Sequence, residues 1–449
     1  MAVSDAISIF QAAVAAVQPS RLLRQHISLD ETTMRLGNKT FRLDDIGKLV
    51  VIGAGKASAA MAVVVEEILG DQVSEGMVIT KYDHRLPLSI IRCVEAGHPV
   101  PDQSGLDATA ELVDMIEHLD ADDLVIFLVS GGASALMTDL VTDVEPEDIR
   151  RLSKLLLSSG ATIHEINTIR KHLSFIKGGQ LSQLVWPAKI VSFILSDVNG
   201  DDLSVIASGP TLGDDSTYVD SLEIIDKYGL NNRVPIPVMN WLKDGAAGEH
   251  PENPRPGDPV FKLTSNHLIG TNQVSLEAAV KAAMDLGYNT RIVKTGLDGE
   301  AEDEAVKFVD YCLKYDGPRP ACLLMGGETT VSVKGRGLGG RNQHFVLAAL
   351  CELQRRREEL ENVSVGVNGS LITQTHDVPV ILSGGTDGTD GPTDAAGAVL
   401  AAGSMKFLGA EEYLSDNDSY RFFESNGGLI KTGPTQTNVM DIIVGLVGV

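Results

Sequence analysis

The chain has 449 residues, and at roughly 100–200 residues per domain it holds about two or three domains. Apolar residues make up 43% and charged residues 22%, a globular composition. Against 37 basic residues stand 61 acidic ones, a net charge of −24 with pI near 4.7. That balance excludes the basic footprint of a nucleic-acid binder and argues against docking on anionic lipid. A small anionic substrate stays admissible, because a few basic side chains in one cleft outweigh a distant acidic surface. Cys93, Cys312, Cys322 and Cys351 are scattered with no C-x-x-C, so neither a zinc knuckle nor a redox dithiol is indicated. The first basic residue is Arg21, Asp5 interrupts the opening segment, and no uninterrupted apolar run approaches the ~18 residues of a membrane span. A soluble, cytoplasmic protein is expected; its oligomeric state stays open.

Ile7, Phe10, Val14 and Val17 at helical spacing predict an amphipathic N-terminal helix. KLVVIGAG at 48–55 reads as a buried strand entering a glycine turn, and 56–69 as the helix after it. Strands follow at 76–80, 124–129 and 189–195, with a helix at 104–118. Strands apolar on both faces that alternate with helices indicate a parallel sheet covered on both sides. DGAAGEHPENPRPGDP at 244–259 holds four prolines and three glycines, so it reads as the inter-domain linker. Beyond it the alternation resumes: strands at 261–264, 289–293, 322–325, 378–383 and 441–447, helices at 273–286 and 300–315. Two α/β lobes are expected, one over 1–243 and one over 260–449.

The chain has 45 glycines, where about 31 would be usual. They concentrate in polar segments after predicted strands or at helix starts, the ligand-binding edge of open α/β sheets. Gly53-Ala54-Gly55-Lys56-Ala57-Ser58 lets backbone N–H groups approach an anion at a helix N-terminus. It is not a Walker A loop. It narrowly misses G-x-G-x-x-G, with Ser58 in the third place and no acidic residue closing the next strand. Lys56 opposes the helix dipole there, which favours an anion-binding role over a solvated lysine. Ser130-Gly131-Gly132-Ala133-Ser134 is a second candidate cradle; the alternative is a tight structural turn, and the G-x-S-x-G of a serine hydrolase is absent.

Arg170, Lys171 and His172, then Lys177, form a basic cluster in an acidic chain, either an anion site or a charged helix face. Asp197 closes a buried strand, where a carboxylate can hold Mg²⁺ or accept a substrate proton. Asp201 and Asp202 read as turn residues. In the second lobe, GRGLGGRNQ at 335–343 opens a helix, and its Arg341 suits carboxylate or phosphate. GGTDGTDGPTD at 384–394 offers Asp387 and Asp390 as possible ligands of a hard cation, without the EF-hand pattern, and Asp394 as a possible helix cap. Cations on glycine turns and lone aspartates at strand ends are the parts of phosphoryl transfer.

VIGAGKASAAMA (51–62), AGHPVPD (96–102), LVSGGASAL (128–136), INTIRKHLSFIKGGQL (166–181), SDVNGDDLSVIASGPT (196–211), GGETTVSVKGRGLGGRNQ (326–343) and GGTDGTDGPTDAAGA (384–398) resemble, in order and nearly end to end, the class II glycerate 2-kinases with a carboxy-terminal MOFRL domain. The resemblance implies ATP- and Mg²⁺-dependent phosphorylation of D-glycerate at its 2-hydroxyl. It also implies two three-layer α/β domains, the first Rossmann-like with a mainly parallel sheet and the second smaller with a mixed sheet, and an active site in the cleft between them. By motif it places Lys56, Asp197 and Arg341 as active-site groups. Gly53, Gly55, Ser130, Gly131, Gly132, Ser134, Arg170, Lys171 and Asn342 are expected to bind substrate or phosphate, and Asp197 with Asp387 the metal. Asn199 and His344 depart from the family pattern, which usually has proline and glutamate there. The rivals are an NAD(P)H-dependent hydroxypyruvate reductase and a non-catalytic metabolite sensor.

Overall fold

A computed structural model describes residues 2–364 and 378–449. The chain divides into two compact units, Pro19–Ile269 and a second made of Met1–Gln18 with Gly270–Val449. In the first unit a small antiparallel sheet, β1 (Ile27–Leu29), β2 (Thr33–Leu36) and β3 (Lys39–Arg42), precedes the main one. The main sheet contains β4 (Leu49–Ala54), β5 (Glu75–Lys81), β6 (Ile91–Ala96), β7 (Leu124–Val129), β8 (Lys189–Leu195) and β9 (Thr264–Gly270) in the order β6-β5-β4-β7-β8-β9. The pairs β4–β5, β4–β7, β5–β6 and β7–β8 are parallel. Counted from β4 this is the 3-2-1-4-5-6 order of the Rossmann fold, with its topological switch between β4 and β7. Every residue of β4 and β7 is buried, as the unbroken apolar runs require. Helices Pro146–Ser159, Ile163–Lys171, Tyr218–Lys227 and Ile236–Ala246 build a second apolar core around Leu152, Ile169, Ile225 and Leu242.

The second unit is a mixed sheet of β10 (Asn289–Leu297), β11 (Ala321–Gly327), β12 (Val380–Gly385), β13 (Gly397–Leu400), β14 (Leu429–Ile430) and β15 (Asp441–Val447), ordered β10-β11-β15-β12-β13-β14. Only β10–β11 is parallel; the other pairs run antiparallel. In β11, Leu323 and Met325 join one core with Phe308 and Phe345, while Cys322 and Leu324 join another with Phe10 and Leu276. The period of two along a strand thus buries both faces, and the unit has three layers.

Two boundaries differ from the sequence reading. The N-terminal helix Ala2–Ala16 belongs to the second unit: Ala6, Ile9, Phe10 and Ala13 pack with Leu276, Leu324 and Leu382, and Tyr288 Oη donates to Asp5 at 2.7 Å. Chain proximity had assigned it to the first lobe; the complementary apolar face decides otherwise. The segment 244–259 is not the division. It begins inside helix Ile236–Ala246, and its later part packs within the first unit: Asp214 N–H donates to Pro254 O at 2.9 Å, and Asn253 Nδ2 donates to Asp214 Oδ2 at 2.9 Å. Prolines lack donors, yet their carbonyls still accept. Residues 261–264 fall largely in a 3₁₀ turn, Pro259–Leu263, before β9, which joins the first sheet rather than the second. The apolar stretch Ala2–His26 is long enough to cross a membrane, but it is more than half buried within the protein.

Candidate active site

The Gly53–Ser58 and Ser130–Ser134 turns leave β4 and β7, one on each side of the switch point. They are stitched together. Lys56 N–H donates to Gly131 O at 2.9 Å, Ala57 N–H to Ser130 Oγ at 2.9 Å, and Ser130 N–H to Ala54 O at 3.1 Å. Gly55 has φ +130°, and a Cβ there would collide with Ser130, so only glycine permits this approach. Gly53 lies inside β4 against Leu128.

The first turn is therefore not the open cradle expected from the sequence. Gly55 N–H donates to Ile79 O at 3.1 Å and Ser58 N–H to Gly55 O at 3.1 Å, so with Lys56 and Ala57 four successive donors are spent inside the protein. Ser58 Oγ, fully buried, closes the turn onto Gly55 O and Ile79 O at 2.8 and 3.0 Å. The second turn differs. Among the described residues the Gly131 and Gly132 N–H groups make no hydrogen bond. His98, from the AGHPVPD segment, lies against Gly132. No local pattern in that segment marks the histidine.

Ser134 Oγ lies 3.3 Å from Ser208 Oγ, which donates to Asn167 Oδ1 at 3.1 Å. Asn167 is 4% exposed, and its Nδ2 has no hydrogen-bond partner among the described residues. Arg170, one helical turn on, forms neither an ion pair nor a guanidinium hydrogen bond among the described residues, and burial draws its pKa down. Its neighbours are committed. Lys171 Nζ meets Asp214 Oδ1 at 3.3 Å with both side chains buried, so Lys171 holds the fold rather than offering a free cation. Lys177 Nζ meets Asp139 Oδ1 at 3.5 Å, and burial still lowers its pKa. His172 is enclosed, its ring nitrogens 2.8 Å from Thr168 O and 3.2 Å from Glu252 Oε2. Asp197 follows β8 and is partly exposed. Two strand spacings separate it from the Lys56 turn, roughly 10 Å. Asp201 sits at φ +55° and Asp202 Oδ1 accepts from Ser204 N–H at 2.8 Å, both turn roles as expected.

In the second unit the glycine loop before helix Arg341–Ser364 is occupied by the protein's own acids. Lys334 and Gly335 N–H donate to Asn417 Oδ1 at 2.8 and 2.9 Å, Arg336 N–H to Asp416 Oδ1 at 3.0 Å, and Leu338 N–H to Asp418 Oδ1 at 2.7 Å. A Cβ at Gly335, Gly337, Gly339 or Gly340 would collide with Asp416, Asp418, Ser419 or Asp390, respectively. These glycines serve close packing, not a phosphate cradle.

Arg341 is likewise met. Its Nε and Nη2 donate to Asp441 at 2.6 and 2.9 Å, and Nη1 lies 2.9 Å from Glu328 Oε1. Burial alone would lower its pKa, but the two carboxylates outweigh it and hold it raised. The anion demanded by a cation at a helix start is thus internal, although the guanidinium has five N–H donors and its side chain stays 28% exposed. Asn342 is clamped: its N–H donates to Asp390 Oδ1 at 3.0 Å and its Oδ1 accepts from Ser383 Oγ at 2.5 Å. It ties the helix to β12 and carries no free recognition group toward phosphate. Asp390, fully buried, caps the helix through Asn342 and Gln343 N–H; burial pushes its carboxyl up to about 6 against those bonds. It is a cap, not half of a cation site. Asp387 Oδ1 accepts from Thr389 N–H and Oγ1, both at 3.0 Å. Asp394 begins no helix; it pairs with Lys431 at 2.9 Å and Tyr420 Oη at 2.7 Å. His344 Nε2 lies 3.0 Å from Glu302 Oε1, a contact between helices Arg341–Ser364 and Ala301–Leu313.

No group of three or more His, Cys, Asp or Glu side chains gathers as a metal cage among the described residues. Mg²⁺ in phosphoryl transfer needs only one or two carboxylates beside the substrate phosphates. Partly exposed Asp197 suits that demand; Asp387, 6% exposed with Oδ1 already engaged, suits it less.

Residues 5–243 match the model of a domain of unknown function, DUF4147, and residues 321–441 that of the MOFRL family. The chain is 38% identical to D-glycerate 2-kinase of Thermotoga maritima, covering 98% of this chain and 97% of that one. It is 39% identical to a putative hydroxypyruvate reductase of Agrobacterium vitis, over 90% of this chain and 88% of that one. A crystal structure of glycerate kinase from Thermotoga maritima superposes with a TM-score of 0.80 at 37% identity, covering 99% of both chains. Similarity in sequence and in fold that runs over nearly the whole length of these proteins, with the MOFRL model matched in the second unit, shows the family: the chain belongs to the class II glycerate kinases with a carboxy-terminal MOFRL domain.

Proposed function

We propose that this protein is an ATP-dependent kinase that transfers the γ-phosphoryl group to the 2-hydroxyl of D-glycerate, giving 2-phospho-D-glycerate, in the cytoplasm. The observation that carries this reading is the full-length similarity to a relative named D-glycerate 2-kinase. In it, the Gly131 and Gly132 N–H groups receive an oxyanion, and Lys56, held beside them, adds the positive charge. Asp197 orients the 2-hydroxyl and accepts its proton. Arg341, held by Asp441 and Glu328, would offer its remaining donors to a phosphoryl oxygen. Asp197 would hold Mg²⁺, which when bound offsets charge on the phosphate oxygens.

The second reading is an NAD(P)H-dependent hydroxypyruvate reductase, favoured by the Rossmann strand order and by the name of the Agrobacterium relative. Against it, β5 ends in Lys81 rather than an acid, and the donors that would face a pyrophosphate are spent. Incubation with ATP, Mg²⁺ and D-glycerate, followed by NMR of the product, tests both activity and position. Phosphorylation at the 2-oxygen is expected. Oxidation of NADH by hydroxypyruvate with no ATP consumed would replace the kinase reading.

A further inference from the structure

Within the basic cluster of the first unit, three cations stand close in sequence, and two are neutralised by the protein: Lys171 by Asp214, Lys177 by Asp139. Arg170 is the exception among the described residues, and it feels the like charge of Lys177. A mostly buried guanidinium without a carboxylate costs stability, and proteins retain such a charge where a ligand supplies its partner. Asn167 is the second, independent sign. The Ser208 hydroxyl donates to its Oδ1, and the buried amide Nδ2 meets no acceptor among the described residues. A buried polar group in that state also costs stability unless something fills it. Asn167 and Arg170 lie at i and i+3 on helix Ile163–Lys171, hence on one face with Cβ atoms roughly 5–6 Å apart.

Ser208 takes φ +61° after Ala207 at φ +52°, a conformation unusual for residues with a side chain. Gly178 N–H donates to Ser208 O at 3.0 Å and Gly179 N–H to Gly209 O at 2.8 Å, which fixes that strained corner. Ser208 also reaches Ser134, so the Asn167 amide is aligned by a hydroxyl chain that starts in the turn carrying the open Gly131 and Gly132 N–H groups.

We propose that Asn167 and Arg170 form the receptor for the carboxylate of the acceptor substrate, a small 2-hydroxy acid, with Ser208 and Ser134 as positioning residues. One net positive charge plus one neutral donor matches a singly charged carboxylate, where a triphosphate needs several cations. The proposal rests on the kinase reading only for the identity of the acid.

Two measurements on the full chain test it: D-glycerate binding by calorimetry without nucleotide, and steady-state kinetics. Asn167→Asp keeps shape and puts a negative oxygen where the donor stood. It should weaken D-glycerate binding and raise KM for D-glycerate by at least about 20-fold, leaving KM for ATP within twofold. Arg170→Gln should behave alike if Asn167→Asp does not fold. A rise in KM for ATP alone would assign the pair to phosphate and overturn the proposal; unchanged values for both substrates would overturn it as well. If the wild type binds D-glycerate but transfers no phosphoryl group, the kinase reading fails, while loss of that binding in Asn167→Asp still supports the carboxylate receptor.

Discussion

Each unit holds an arginine that the sequence singles out, and the protein treats the two, Arg170 and Arg341, in opposite ways. In the second, Arg341 is answered by Asp441 and Glu328, and the loop before it by Asp416, Asn417 and Asp418. In the first, Arg170, Asn167 Nδ2 and the Gly131 and Gly132 N–H groups are left unanswered among the described residues. A self-satisfied cluster is stable and pre-aligned, because its charges already have partners. An unsatisfied one is costly and poised for a ligand. The same residue types therefore carry different information, and only their partners tell which.

The largest effect that tests this contrast is at Asp441. Asp441→Asn leaves the Arg341 guanidinium without its fork partner, and removing one member of a buried pair should cost about 3 kcal/mol in a urea titration. A loss below about 1 kcal/mol would mean that the second unit is not held by this pair.

Next is the pH dependence from Asp390, whose carboxyl is raised to about 6 and faces Asp441 and Arg341. The folded state binds a proton more tightly than the unfolded chain, so stability from this group is fully present below about 4 and is lost as pH rises to about 6. Two pKa units correspond to about 3 kcal/mol over that window. Asp390→Asn should flatten the slope in melts between pH 4 and 6.

Smaller again is Gly340→Ala, whose methyl group would meet Asp390; overpacking of this kind costs about 1–3 kcal/mol and should lower the thermal midpoint. The smallest expected change in stability is the one that sharpens the contrast most. Arg170→Leu removes a charge with no partner among the described residues, so its unfolding free energy from a urea titration should stay within about 1 kcal/mol of wild type or rise. A loss comparable with Asp441→Asn would show that Arg170 has a structural partner after all.

Much of the fold was legible because it depends on local pattern. The runs around Val50–Ile52 and Val125–Leu128 could only be doubly covered strands, and the structure buries every residue of both. The small sheet β1–β3 was missed because its strands have three or four residues each and alternate weakly between half-buried and exposed. The N-terminal helix was recognised but given to the wrong unit, since periodicity reveals an apolar face and not the surface that covers it. In the candidate site, Lys56, Asp197, Arg170 and Arg341 are proposed on residue type and turn chemistry alone. Lys171 and Asn342 share that signature, but Asp214, Asp390 and Ser383 engage them from 43, 48 and 41 residues away. His98 and Asn167 carried no local signal beyond their motifs.

The acid excess has the same moral. The sequence by itself determined the class, the long buried strands, the glycine turns and the family, because backbone burial and turn geometry are written in neighbouring residues. It could not say which acids face water. Asp214, Asp390, Asp418 and Asp441, counted at first within a net charge of −24, are buried against cations or helix N–H groups, and only the tertiary structure brought those partners together. Charge pairing acts across tens to hundreds of residues of chain, so whether a lysine, arginine or glycine is spent or free is settled by the fold.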